Sequence, residues 1–80
     1  MIVGKVKHYY DKIGVAIIEV LAEINVGDKV RVTRGGEEMF EQEIVSMQVD
    51  HQEIKKAVKG DIIGMKTNEA VKEGAEIFKL

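Results

Sequence analysis

Short runs of alternating apolar and polar residues, separated by turns that contain glycine, cover most of this chain. Residues 29–34 alternate cleanly, with Val30 and Val32 on one face and polar side chains on the other. This period of two is typical of a half-buried β-strand. Further runs of strand length, each bounded by turn residues, occupy positions 2–9, 13–21, 40–49, 62–66 and 76–80. The pattern predicts about six short strands and an all-β fold.

Turns that contain glycine set the expected architecture. Gly27, Gly60 and Gly74 each stand just before a predicted strand, where glycine can take the positive φ that tight turns require. Six short antiparallel strands joined by such turns predict a small closed Greek-key β-barrel, because closure removes the exposed strand edges that invite aggregation. The consecutive apolar residues Ile44 and Val45 break the alternation of their strand and predict a bulge there.

One short helical turn is predicted near residues 51–58. Asp50 is suited to cap it, and Glu53 stands where the partner of a capping box would. Such a helix would contain one or two turns at most. The apolar residues of the segment follow the i, i+3, i+4 spacing of a helix face: Ile54, Ala57 and Val58.

Length and composition limit the classes of protein that this chain can represent. Its 80 residues are expected to form a single domain, residues 1–80. Without cysteine the chain has neither disulfides nor thiolate ligands for a metal, which agrees with a cytoplasmic location. No apolar run approaches the roughly 18 residues that a membrane span needs, and the first residues lack the apolar segment of a signal peptide. We therefore expect a soluble, cytoplasmic protein with no membrane partner.

The charges of the chain are nearly balanced. Twelve Lys and Arg residues against fourteen Asp and Glu residues give a formal net charge of −2. A global positive field that would attract nucleic acid is therefore excluded, and any site for an anion must be local. The segments Glu37-Glu38 and Glu41-Gln42-Glu43 are interpreted as a solvated hairpin.

Side chains suited to catalysis are few. There is no cysteine nucleophile, and the only hydroxyl groups belong to one serine, two threonines and two tyrosines. His51 follows Asp50 directly, but neighbours on a turn rarely face one another, so we interpret the pair as solvated rather than as a general base with its orienting carboxylate. His8 and His51 lack the spacing of metal ligands. We expect no enzyme, no catalytic or metal site and no cofactor.

Five short motifs occur in an order that resembles a known β-barrel. They are Lys12-Ile-Gly-Val-Ala16, Val26-Gly-Asp-Lys-Val30, Val45-Ser-Met-Gln48, Ala57-Val-Lys-Gly-Asp-Ile-Ile-Gly64 and Val71-Lys-Glu-Gly74. Over nearly its whole length the chain resembles the second domain of translational GTPases such as elongation factor Tu, and small stand-alone elongation-factor-like proteins. It is also similar to the C-terminal barrel of collagenase-like peptidases. The resemblance implies a Greek-key barrel of six strands or slightly more.

The resemblance implies binding rather than catalysis. In the GTPases hydrolysis resides in a separate domain, and this chain has no Gly-x-x-x-x-Gly-Lys-Ser/Thr loop for a nucleotide. The family's barrel helps to hold the aminoacylated 3′ end of tRNA with a Glu and an Asn, at positions that match Ser46 and Ile62 here. Without those polar groups the ligand would be left with unpaired groups, so we do not expect tight tRNA binding in the family's manner.

The first functional hypothesis is a non-catalytic module that binds RNA, the ribosome or a translation-related protein. Tyr9 or Tyr10 would be available to stack on a base. Acidic residues lie close in sequence to the same elements, which is what a solvated surface of mixed charge also shows. The candidate RNA-binding residues are basic side chains on predicted outward positions and on the corner: Lys5, Lys7, Arg31, Lys55 and Lys56.

The second hypothesis is a protein-interaction adaptor or a homo-oligomeric barrel that uses the apolar strand 13–21. A small barrel fills its interior with one face of each strand, so either Val15 and Ile17 or Ala16 and Ile18 must face outward. Val15 and Ile17 are the candidate interface residues. A partner or a second copy could cover the outward set, and so could the corner helix through its own apolar residues. The sequence leaves the oligomeric state open.

Overall fold

Ten β-strands and no helix make up the fold, in a computed structural model that describes residues 1–80. The strands are β1 (Ile2–Tyr10), β2 (Val15–Val20), β3 (Ile24–Asn25), β4 (Lys29–Arg34), β5 (Glu37–Glu43), β6 (Met47–Val49), β7 (Gln52–Ile54), β8 (Lys56–Ala57), β9 (Ile62–Lys66) and β10 (Glu76–Lys79). The predicted all-β class is confirmed, but the predicted number of about six strands is wrong. No helix of the chain is long and apolar enough to cross a membrane.

Eight of the strands form one antiparallel sheet that does not close. Its order is β5-β4-β10-β1-β2-β9-β6-β7, and β3 pairs with β8 in a separate two-stranded sheet. The prediction of a closed barrel is therefore wrong, because β5 and β7 remain as edges. At one end of β5, a glutamine side chain links the strand to the segment after β9, where no strand-to-strand backbone hydrogen bonds are made. The Gln42 amide donates to the Lys66 carbonyl at 3.1 Å and accepts from the Asn68 N–H at 2.7 Å.

The corner near residues 51–58 contains extended strands, so the predicted helical turn is wrong. β6 and β7 form a hairpin in which Val49 lies opposite Gln52. Asp50 and His51 connect them with φ values of 51° and 65°. Two central residues at positive φ characterise the type I′ turn, whose twist matches that of a hairpin, and Asp and His tolerate this conformation better than most residues. The segment therefore forms a hairpin rather than a helical turn, because its turn residues suit a hairpin and β6 provides an edge with which β7 can pair.

The long strand predicted for residues 40–49 is divided in two. β5 ends at Glu43 and β6 begins at Met47. Between them Ile44 exchanges backbone hydrogen bonds with the turn before β4. Its N–H donates to the Asp28 carbonyl at 2.8 Å, and its carbonyl accepts from the Gly27 N–H at 2.8 Å. The interruption at Ile44 and Val45 is thus larger than the predicted bulge.

The core is built from the inward faces of the strands. Seventeen buried hydrophobic residues form one cluster. Ile18 lies at its centre, because its strand neighbours are Val6 on β1 and Ile63 on β9. Gly4 makes close packing possible here, since a Cβ at that position would lie 2.7 Å from the Ile18 side chain. Inward packing of β1, β2 and β9 leaves the opposite faces of these strands available for a surface site.

Candidate functional site

A groove of about 440 Å³ lies on the outer face of the sheet where β2 meets β9. Its side walls are apolar, and the hairpin turn between β6 and β7 forms one end through Asp50 and His51. Its main apolar wall residues are Tyr10, Ile13, Val15, Ile17 and Ile62. We call this feature the outer groove. It contains both residues that the sequence predicted as a protein interface.

The alternation of β2 explains why the groove is apolar. Ala16 and Ile18 point into the core and are fully buried, whereas Val15 and Ile17 are half-buried on the outer face. Of the two outward sets that the sequence allowed, the structure has Val15 and Ile17. Apolar side chains on both faces of one strand are typical of sheets that are covered on both sides, and here the core covers only the inner face.

The floor of the outer groove is a residue without a side chain. Gly64 on β9 lies directly opposite Ile17 on β2. A Cβ at Gly64 would lie 3.2 Å from Cγ1 of Val15 and 3.4 Å from Cγ of Gln48, so even a methyl group would fill part of the depression. A glycine within a strand often marks a place where another group approaches the backbone closely. Gly64 therefore leaves a depression in the outer face between Val15 and Gln48.

Three large apolar side chains around the outer groove are exposed to solvent. Tyr10 is 48% exposed, Ile13 60% and Ile62 54%. Cover by a corner helix, one of the alternatives that the sequence left open, is absent, since Val58 is itself 44% exposed and Ile54 packs against the core. Contiguous exposed apolar surface of this kind marks interaction sites more often than isolated exposed residues do.

Ile62 was not predicted as an interface residue, although the sequence contained a signal. It was considered only as the residue that stands where the family has an asparagine. Ile62 and Ile63 are consecutive in a strand, and consecutive strand residues point to opposite faces. Since Ile63 is buried in the core, Ile62 has to point outward. The structure brings it to the same groove as Ile17.

The five candidate RNA-binding residues do not form one surface cluster. Lys5 and Lys7 lie on β1, and Arg31 lies on β4, which is separated from β1 by β10. Lys55 directly precedes β8, and Lys56 is the first residue of β8. Lys7 is also paired, with its Nζ 3.7 Å from Oε1 of Glu19. The structure thus distributes these cations over three separate elements.

Arg31 is the most strongly paired of these cations. Its guanidinium lies 2.9 Å from the Glu41 carboxylate and 3.1 Å from the Glu38 carboxylate, both on neighbouring β5. The hydrogen bond to Glu41 raises the pKa of Arg31, and the negative charge of Glu38 raises it further. Two carboxylates around one guanidinium leave no excess positive charge at this position. A phosphate would therefore have to compete with both glutamates for Arg31.

The two histidines lie apart from each other, and neither belongs to a group of three or more metal-ligating side chains. Nδ1 of His8 is 3.2 Å from Oε2 of Glu73, and the His8 ring meets the Tyr10 ring edge to face with centroids 4.5 Å apart. His51 is exposed at the turn that ends the outer groove. No group of three His, Asp or Glu side chains converges in a way that could hold a metal ion.

Comparisons with known proteins relate this chain to a part of a protease. No protein-family model matches it. It is similar to the uncharacterized protease MJ0090 of Methanocaldococcus jannaschii, with 32% identity over 78 residues that cover 98% of this chain. The chain spans only 19% of the length of that curated relative. The likeness therefore concerns one small portion of a much longer protein.

The fold is that of the C-terminal domain of a candidate U32 peptidase from Geobacillus thermoleovorans. The crystal structure of the selenomethionine variant of that domain has a TM-score of 0.91 and 22% sequence identity, and the match covers 99% of both chains. A second crystal structure of the domain has a TM-score of 0.89 and 21% identity, covering 98% of this chain and 90% of that one. At such low identity these matches show a shared fold.

The relatives correct one expectation from the sequence and support another. They point to the C-terminal domain of a peptidase, so the expectation of a translation protein similar to elongation factor Tu is wrong. The likeness to the C-terminal domain of collagenase-like peptidases is supported. The glycine-containing turns that suggested a translation factor specify strand connections, and unrelated functions can share such connections.

Proposed function

We propose that this chain is a non-catalytic protein-binding module that docks through its outer groove. The observation that carries the proposal is the set of exposed apolar side chains around Gly64, namely Tyr10, Ile13 and Ile62. Covering apolar side chains that are half exposed contributes roughly 1 kcal/mol each. Removing one of them from the centre of an interface should then weaken binding about fivefold, and placing a charge there should weaken it further.

The partner proposed for the outer groove is a larger protein of the peptidase type. The curated relative that this chain resembles carries the matched segment as 19% of its length, so there the segment accompanies a much larger body of protein. A domain attached to such a body needs a surface that fits it. In this chain the outer groove is the apolar surface suited to that contact, and the predicted interface residues Val15 and Ile17 lie within it.

We expect Ile62→Lys to weaken partner binding at least tenfold, because the new ammonium group would be desolvated in the interface. Val45→Lys is the matched control, since Val45 and Ile62 are both 54% exposed and Val45 does not line the groove. Both variants add one positive charge at an exposed position, so both should keep the stability of the unmodified chain within about 0.5 kcal/mol.

The measurement is the amount of each protein that co-purifies with the unmodified chain and with both variants, together with sedimentation of each purified chain. A protein of the peptidase type that is lost with Ile62→Lys and retained with Val45→Lys supports the proposal. If self-association is instead lost with Ile62→Lys, the groove is a homo-oligomer interface and the proposed partner is wrong. If the same amount of partner co-purified with both variants, the outer groove would not be the docking surface.

A further inference from the structure

A second concavity, of about 430 Å³, lies beside β5, which is an edge strand of the open sheet. It is bounded by β5 on one side and by the segment 70–72 on the other, and we call it the edge cleft. Its floor is apolar and buried, so a ligand with an apolar side chain would meet no unpaired polar group there. The floor residues are Val32, Phe40, Val71 and Ala75.

Both walls of the edge cleft carry backbone groups that have no partner within the chain. β5 is hydrogen-bonded to β4 on one side and to no strand on the other. Residues 69–71 make no backbone hydrogen bond. The Gln42 side chain holds β5 against Lys66 and Asn68 at one end, which keeps the walls in place. An extended peptide added at a free sheet edge satisfies backbone groups of this kind.

The rim of the edge cleft carries charges of both signs. Arg34 and Lys72 supply two cations, and Asp11 and Glu37 supply two anions. None of these four side chains takes part in the ion pairs of this structure. A ligand with one positive and one negative end would match this rim, whereas a polyanion would meet two carboxylates as well as the two cations and would gain no net attraction.

We propose that the edge cleft binds a short extended peptide with free termini. An apolar side chain of the peptide lies on the floor formed by Phe40 and Val71, and its backbone pairs with the free edge of β5. Its carboxylate meets Arg34 or Lys72, and its ammonium group meets Asp11 or Glu37. A lipid chain would fit the floor but leave the backbone groups unpaired. This site is separate from the outer groove and does not depend on the function proposed for it.

The test is a titration of the ¹⁵N-labelled 80-residue chain with the tripeptide Ala-Leu-Ala, followed by amide chemical shifts. We expect saturable shifts confined to residues 37–40 and 69–72, with a dissociation constant in the millimolar range or below, about 10 mM at most. Ala-Ser-Ala, which lacks the apolar side chain, should bind at least about tenfold more weakly. No shift by about 10 mM Ala-Leu-Ala, or shifts elsewhere, would overturn the proposal.

Variants of the rim and wall separate specific binding from weak general association. Arg34→Gln combined with Lys72→Gln should weaken binding of Ala-Leu-Ala about threefold to tenfold, and should not affect the same peptide with an amidated C-terminus. Lys5→Gln combined with Lys55→Gln, which removes two cations outside the cleft, is the control. Ala70→Phe places a bulky group at an exposed position of the wall and should abolish binding while the chain stays folded. Equal affinity in every variant would contradict the proposal.

Discussion

Replacing Ile18 by Ala is expected to lower the free energy of unfolding by about 3 to 4 kcal/mol, as measured by urea denaturation. Ile18 is fully buried at the centre of the core. Its neighbours Val6 and Ile63 belong to strands on both sides, so the surrounding structure cannot easily collapse into the cavity. A domain of this size has a total stability of roughly 4 to 12 kcal/mol, so the loss would be a large share of it.

Ile17→Ala is the matched control, because it removes the same atoms from the residue that directly precedes Ile18 on β2. Ile17 is half-buried on the outer face, where solvent fills the space that the side chain leaves. We expect it to cost about 1 kcal/mol. Equal losses for Ile17→Ala and Ile18→Ala would contradict the assignment of inner and outer faces to β2.

Replacing Gln42 by Leu is expected to lower the free energy of unfolding by about 2 to 4 kcal/mol. Gln42 is 6% exposed, and its amide satisfies both the Lys66 carbonyl and the Asn68 N–H. Leucine is similar in volume but leaves these two groups without a partner, each of which costs about 1 to 3 kcal/mol when buried. Loss of the link should also speed hydrogen exchange at the Asn68 amide.

Gln52→Leu is the control for this variant, because Gln52 is an exposed glutamine on the edge strand β7. It should change stability by about 0.5 kcal/mol or less and leave exchange at Asn68 unaltered. If Gln42→Leu left both the stability and the Asn68 exchange rate unchanged, the side chain would not be the link that holds β5 to the segment after β9.

The period of two allowed the all-β class to be predicted, because it depends on the strand backbone alone. The helical turn was predicted wrongly because three apolar residues in a segment of eight fit a helix face as well as a strand corner. The decisive information was the turn Asp50-His51, whose positive φ values favour a hairpin. Short spacing patterns therefore carry less information than turn chemistry in this segment.

The charged neighbours of Gln42 gave no indication that this residue is buried. Flanked by Glu41 and Glu43, it was interpreted as part of a solvated hairpin, yet it is buried. It shares the parity of the buried residues Phe40 and Ile44, and this parity was the signal that it faces inward. Its partners Lys66 and Asn68 are distant in sequence, so the hydrogen bonds themselves could not be predicted without the topology.

The lining of the outer groove was predicted in part, whereas its role as an interface stays a prediction. Apolar residues on both faces of β2 indicated that Val15 and Ile17 or their neighbours would face outward, and both are found in the outer groove. Gly64 at its floor could not be identified, because the register that places it opposite Ile17 is set by the pairing of two strands far apart in sequence. A glycine turn motif explained Gly64 equally well in the sequence alone.

Site-specific photo-crosslinking in the source cells tests the role of the outer groove most directly. A benzoylphenylalanine at position 62 is compared with one at position 45, since the native residues Ile62 and Val45 are equally exposed at 54%. We expect a covalent adduct with a larger protein of the peptidase type from position 62 alone, and we expect it to be lost when Ile17→Lys is added. No adduct from position 62, or the same adducts from both positions, would contradict this expectation.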